Sequence, residues 1–193
     1  MGMFNNAMLI APQIVRQIDL SGCRNLLDMG GGPGTYAIHF CLQKPGLHAT
    51  VFDLPTTRLF AERTIEKFQL RGRITFMAGD YTKERIRGRY DAIWMSHILH
   101  GEGPKTCVKM VRNAAELLEP GGIILIHEFI LNNTKDGPLH PALFSLNMLL
   151  GSRGARSYSE GELMEMLRKA GMQEIRRTPI RTPMESGIIF SRK

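Results

Sequence analysis

Cysteine is scarce, with three in 193 residues. Cys23, Cys41 and Cys107 are an odd number, widely spaced and without a CxxC pair. That indicates neither a disulfide framework nor a cysteine zinc site, and the three read as small buried or half-buried side chains. Long apolar runs are missing too. None approaches the ~18–20 residues that span a bilayer, and no basic-then-apolar leader opens the chain. A cytoplasmic protein with no membrane partner is therefore expected. Repeats, low-complexity stretches and an internal boundary are also lacking, which leaves one domain long enough to bury a core. Its composition, 43% hydrophobic and 22% charged, is that of an ordinary globular protein.

Charge of one sign is in excess, at +7. Much of it comes late, at Arg153, Arg156, Arg168, Lys169, Arg176, Arg177, Arg181, Arg192 and Lys193. These cations are scattered over several elements, and no aromatic-rich RNA-binding motif accompanies them. They read as a solvated surface, with no nucleic-acid partner expected.

Strand and helix signals alternate along the chain. Asn25–Met29, Ala49–Asp53, Ile74–Ala78, Tyr90–Ser96 and Gly122–Phe129 are short apolar runs bounded by turn residues, the pattern of buried parallel strands. Cys107, Met110, Val111, Ala114 and Leu118 recur at helical spacing, as do Leu163, Met166, Leu167 and Ala170. Ile10, Ile14 and Ile18 give a first helix an apolar face. Pro104 suits a first helical position, and Ser159-Glu160-Gly161-Glu162 forms a capping box. Gly121-Gly122 and Gly171 mark helix exits. Gln173–Thr178 and Gly187–Ser191 read as an antiparallel hairpin added at the sheet edge. The whole predicts an α/β fold, a parallel sheet with helices on both faces.

The strongest local signal is Leu26-Leu27-Asp28-Met29-Gly30-Gly31-Gly32-Pro33-Gly34, a strand running into a glycine turn. Glycine lets the backbone turn tightly and approach a ligand. In open α/β sheets, ligands bind at the carboxyl ends of strands. Thr35 stands where the third glycine of a dinucleotide fingerprint belongs, and no Lys-Ser/Thr follows for a phosphate loop. Asp53 ends the second strand, roughly 20 residues on, where a carboxylate can accept from a ribose diol; its plain alternative is a helix cap. Asp80 ends the third strand, beside Tyr81, and could accept from an adenine amino group. Its plain alternative is an Asx turn after Gly79.

These motifs, with Val51-Phe52-Asp53-Leu54-Pro55, Gly79-Asp80-Tyr81, Ile98-Leu99-His100 and Ile126-His127-Glu128, come in the order of one family. The chain resembles the catalytic domain of the plant-type small-molecule O-methyltransferases, the caffeate and hydroxyindole O-methyltransferases and their bacterial relatives. The resemblance implies a class I, Rossmann-like, seven-stranded and mostly parallel sheet with a reversed C-terminal hairpin. It implies an enzyme that uses S-adenosylmethionine, releases S-adenosylhomocysteine and calls for no metal. It further implies a cofactor site at Gly30, Gly32, Asp53, Leu54, Asp80, Tyr81 and Ser96, with His100 as general base held by Glu128. In Pro138–Leu150, Phe144, Asn147, Met148 and Leu149 are candidates to touch a small, flat, aromatic acceptor, Asn147 and Met148 foremost.

Several positions depart from the family. His97 stands where Trp is frequent, Gly101-Glu102 replaces Asp-Trp after the histidine, and Ser96 replaces a lysine near the cofactor. Ser157 replaces a second glutamate beside the base, so orientation of the imidazole falls to Glu128. Only about 24 residues precede the first strand, so the family's N-terminal dimerising domain is expected to be absent from residues 1–193. The full-length protein is expected to be a homodimer. Three other functions fit the same motifs: RNA or protein methylation, a non-catalytic cofactor-binding module and, weakest, a nicotinamide-dependent dehydrogenase.

Overall fold

The computed structural model describes residues 2–151, 154–180 and 182–193. Arg153 and Arg181, counted above among the late cations, lie outside the described residues. Seven strands form one sheet: β1 Asn25–Met29, β2 His48–Asp53, β3 Ile74–Ala78, β4 Tyr90–Ser96, β5 Leu118–Phe129, β6 Gln173–Arg177 and β7 Ser186–Arg192. Their order is β3-β2-β1-β4-β5-β7-β6. The first five run parallel, and β7 is antiparallel to both of its neighbours. The helices are α1 Gly2–Val15, α2 Thr35–Gln43, α3 Arg58–Lys67, α4 Pro104–Leu117, α5 Leu139–Gly151 and α6 Glu160–Lys169.

Alternate residues of each strand point to opposite faces, and here both faces are apolar. Leu26, Val51, Ala92, Trp94 and Leu125 pack on one side with Ile14, Ile38, Phe40 and Ile65 from α1, α2 and α3. Leu27, Met29, Ile93, Met95 and Ile126 pack on the other with Met110, Val111, Leu163 and Leu167 from α4 and α6. This is the doubly wound arrangement. Strand order reverses at β1, which lies between β2 and β4, so the crevice opens at the carboxyl ends of these strands.

The end of α4 differs from the sequence reading. Leu118 continues the helical spacing of α4 but is extended and opens β5. Pro120 disfavours a helical Glu119, so the helix stops before the Gly121-Gly122 pair. The closing pair of strands is added beyond β5 at the sheet edge, as the sequence indicates. Of these two, β7 lies inside the sheet against β5, and β6 is the edge. Among the described residues no helix is long and apolar enough to cross a membrane.

Candidate active site

The carboxyl ends of β1, β2 and β3 are tied together by backbone hydrogen bonds. The Gly30 N–H donates to the Phe52 carbonyl at 2.8 Å, and the Gly79 N–H donates to the Asp53 carbonyl at 2.9 Å. The Gly32 N–H donates to the Asp53 carboxylate at 2.7 Å. Gly30 has φ +71°, and a Cβ there would lie 2.5 Å from Ile98 and 3.3 Å from the Tyr81 ring. Gly32 has φ +52°, and nothing lies within 4 Å of where its Cβ would be, so its backbone faces open space. Gly30, Gly32, Asp53 and Tyr81 therefore converge on one crevice.

The other residues named for this crevice divide. The Leu54 N–H donates to Asp53 Oδ1 at 2.7 Å, while its side chain is exposed beside the crevice. The Thr57 hydroxyl adds a bond to the same oxygen at 3.1 Å, so Asp53 also braces the turn that leads into α3. A carboxylate has about four acceptor positions, and these bonds leave one free on Oδ2. Asp80 is near, but its carboxylate is engaged locally. It accepts from the Thr82 N–H and hydroxyl at 2.9 and 2.6 Å and pairs with Lys83 at 2.9 Å. The Thr82 bonds and the Lys83 ammonium hold its carboxyl down at about 2. Ser96 lies at the end of β4, with its hydroxyl 2.9 Å from His127 Nδ1.

Asp28 is a participant that the sequence reading quoted without giving it a role. It is 1% exposed in mid-strand. Its carboxyl accepts from the Ala37 N–H at 3.1 Å, in the first turn of α2, where helix amides lack partners. A Cβ at Gly31 would lie 2.6 Å from the Asp28 carboxyl carbon, so only glycine fits over it. Burial, with Asp53 adding to it, outweighs the Ala37 bond and pushes the acid up to about 7.

Two residues beyond Ile98 the second half of the site begins. His100 Nδ1 lies 2.8 Å from Glu128 Oε2, and the Leu99 N–H donates to Glu128 Oε1 at 2.8 Å. Glu128 is 2% exposed. Burial alone would raise its carboxyl, but the imidazoles of His100 and His97 prevail and hold it well below the usual range. One residue earlier on β5, His127 points to the other face of the sheet. It is bonded by Ser96 and by Ser186, the latter at 3.1 Å, and stacks near Trp94 and Tyr36. Burial and the neighbouring His97 push it well below the usual histidine range, so it is neutral.

His97 is also drawn in. Its backbone is left-handed, with φ 55°, and its N–H donates to the His127 carbonyl at 2.9 Å. Its Nδ1 is 3.6 Å from Glu128 Oε2, beyond hydrogen-bond length, and is buried without a partner. From α5, the Phe144 ring meets the His100 ring edge-on at 4.8 Å and packs 4.6 Å from Phe129. Asn147 is exposed and Met148 half-buried one turn further on. Ser157 is buried and donates to the Pro141 carbonyl at 3.0 Å, so it anchors α5.

A family model described as the O-methyltransferase domain matches residues 1–173. The chain belongs to this family. A relative, the 3-hydroxy-5-methyl-1-naphthoate 3-O-methyltransferase of Streptomyces sahachiroi, is 36% identical over 188 residues, 97% of this chain and 54% of that protein. A solved O-methyltransferase family 2 protein of Planctomyces limnophilus, in complex with apigenin, superposes with a TM-score of 0.91 at 29% identity, covering 100% of this chain and 60% of that one. Human N-acetylserotonin methyltransferase in complex with S-adenosylmethionine superposes with a TM-score of 0.83 at 28% identity, over 95% of this chain and 51% of that one. The sheet is thus that of the class I methyltransferases. The O-methyltransferase domain described here spans about half the length of the curated relatives it matches.

Proposed function

We propose that this O-methyltransferase domain moves the methyl of S-adenosylmethionine to a hydroxyl of a small aromatic acceptor, with His100 as general base. One observation supports this most. A histidine oriented by a buried, ionised carboxylate stands two residues from Ile98, the side chain that touches the glycine crevice. The crevice suits the cofactor: an open backbone at Gly32, a carboxylate at Asp53 with acceptor capacity left, and an aromatic ring at Tyr81. S-adenosylmethionine brings an already activated sulfonium methyl, so the chain's task is alignment and proton removal. Gly30, Gly32, Asp53 and Leu54 would hold the adenosyl group, with Asp80 and Tyr81 toward the adenine and Ser96 below the loop.

The Nδ1–H of His100 donates to Glu128, which leaves the Nε2 lone pair to take the acceptor's proton. Glu128 then steadies the imidazolium. Phe144 and Phe129 give that nitrogen apolar walls, with Asn147 and Met148 further along α5, a lining suited to a flat ring. The naphthoate and apigenin named for the relatives are such rings, so a hydroxylated bicyclic aromatic is the acceptor class to test.

His100→Ala should lower methyl transfer by about 10²- to 10⁴-fold in the whole protein, while S-adenosylhomocysteine affinity stays within about twofold. Turnover of a phenolic acceptor and calorimetric titration read the two effects. Undiminished turnover in the variant would refute the base assignment, and transfer-free binding in the parent would favour a cofactor-binding module instead.

RNA methylation is less well supported, because several of the late cations pair with neighbouring carboxylates. Arg168 pairs with Glu165 at 3.1 Å, Arg177 with Glu160 at 3.0 Å and Arg192 with Glu174 at 3.3 Å. Cytoplasmic residence and a homodimer of the whole protein complete this reading; sedimentation checks the dimer.

A further inference from the structure

We propose that His97, His100 and Glu128 form a binding site for a divalent transition metal such as Zn²⁺, which acts as an inhibitor. One ligand atom from each of the three lies within 4.8 Å of the others. Two imidazoles and a carboxylate are a zinc ligand set that leaves a fourth position for water. The set is also prepared around its edge. Glu128 Oε1 is held by the Leu99 N–H at 2.8 Å, which aims Oε2 at both histidines, 2.8 and 3.6 Å away. Such outer hydrogen bonds orient ligands and raise affinity.

His97 supplies the independent observation. A bulky residue with φ 55° is uncommon, and the His127 carbonyl pins it there. This backbone delivers a buried Nδ1 that has no hydrogen-bond partner. A metal would satisfy that nitrogen. The ring stays about a third exposed, with side-chain accessibility of 30%, so an ion has a route in.

The inhibitory part of the inference rests on His100 being the base. With no metal, the ring proton sits on Nδ1 against Glu128 and Nε2 is free. Ligation through Nδ1 moves that proton to Nε2, so the nitrogen that would accept from the acceptor is already protonated. No electron changes hands, and one neutral tautomer replaces the other.

Zn²⁺ is titrated calorimetrically into the 193-residue chain and three variants. His97→Asn tolerates the left-handed backbone but removes the imidazole, His100→Gln removes the second, and His48→Gln alters an exposed histidine on β2. The expected result is one saturable equivalent for the parent and His48→Gln, weakened at least about tenfold in the other two. Co²⁺ should develop visible absorption bands in the parent that His97→Asn lacks. No saturable binding, or equal affinity in all four proteins, overturns the site. Zn²⁺ should also inhibit methyl transfer in the parent and much less in His97→Asn. Zn²⁺ binding without S-adenosylhomocysteine binding would sink the methyl-transfer reading and leave the metal site standing. The reverse pattern would do the opposite.

Discussion

A carboxylic acid in the middle of a buried strand needs a reason, and Asp28 has one in the Ala37 amide that it caps. Its chemistry makes stability depend on pH. With the folded acid pushed up to about 7, the native state keeps a proton that the unfolded chain has already released. Stability from this group is therefore full below the ordinary carboxylate range and falls as pH rises toward about 7. Asp28→Asn keeps an acceptor for the Ala37 N–H and removes the titration. The melting temperature of the variant minus that of the parent should be more positive at pH 8 than at pH 5; a difference that does not change with pH would disprove the raised acid. The sequence carries a hint, since an acid between Leu27 and Met29 breaks an apolar run. His97 offers no such hint. Its neighbour Glu128 lies on β5, and only the parallel pairing of Ser96 with His127 brings the two together.

At the scale of elements, what local hydrogen bonding dictates was readable. The capping box at Ser159 is formed on both sides: the Glu162 N–H donates to the Ser159 hydroxyl at 3.3 Å, and the Ser159 N–H donates to Glu162 at 2.9 Å. Ser159→Ala should cost about 1 kcal/mol in denaturant unfolding, because α6 seats Leu163 and Leu167 in the core. An unchanged midpoint would mean that the cap contributes nothing there. The α4 boundary was less readable, because hydrophobic spacing runs on through Leu118 after the backbone has turned extended. The stretch Pro138–Leu150 coincides with α5 Leu139–Gly151. Which of its faces meets His100 depends on how it docks, and the ring that does so is Phe144.

Across the whole molecule, five strands were countable from apolar runs, and these five are parallel as their hydrophobicity on both faces implied. The spatial order of the sheet was not countable, since nothing local in Gly187–Ser191 says that it pairs with β5. The surface of α5 is likewise a property of the assembled fold. Leu139, Leu143, Leu146 and Leu150 are 71%, 57%, 62% and 88% exposed, a continuous apolar strip on one helix. Leu146→Lys should leave unfolding free energy within about 0.5 kcal/mol of the parent and reduce self-association in light scattering. A large loss of stability would show that the strip is covered within the chain.

The interior seat of β7 has a consequence for biosynthesis. Ser186–Phe129 and Gly187–Glu128 are register partners, so the strand carrying the carboxylate behind His100 is flanked on one side by the strand of this sheet that is synthesised after the other six. Until that segment emerges, a nascent chain can close the half-sheet around the glycine crevice while the far side of β5 stays bare. On this register the glycine crevice is free to form before the strand of Glu128 gains its outer neighbour.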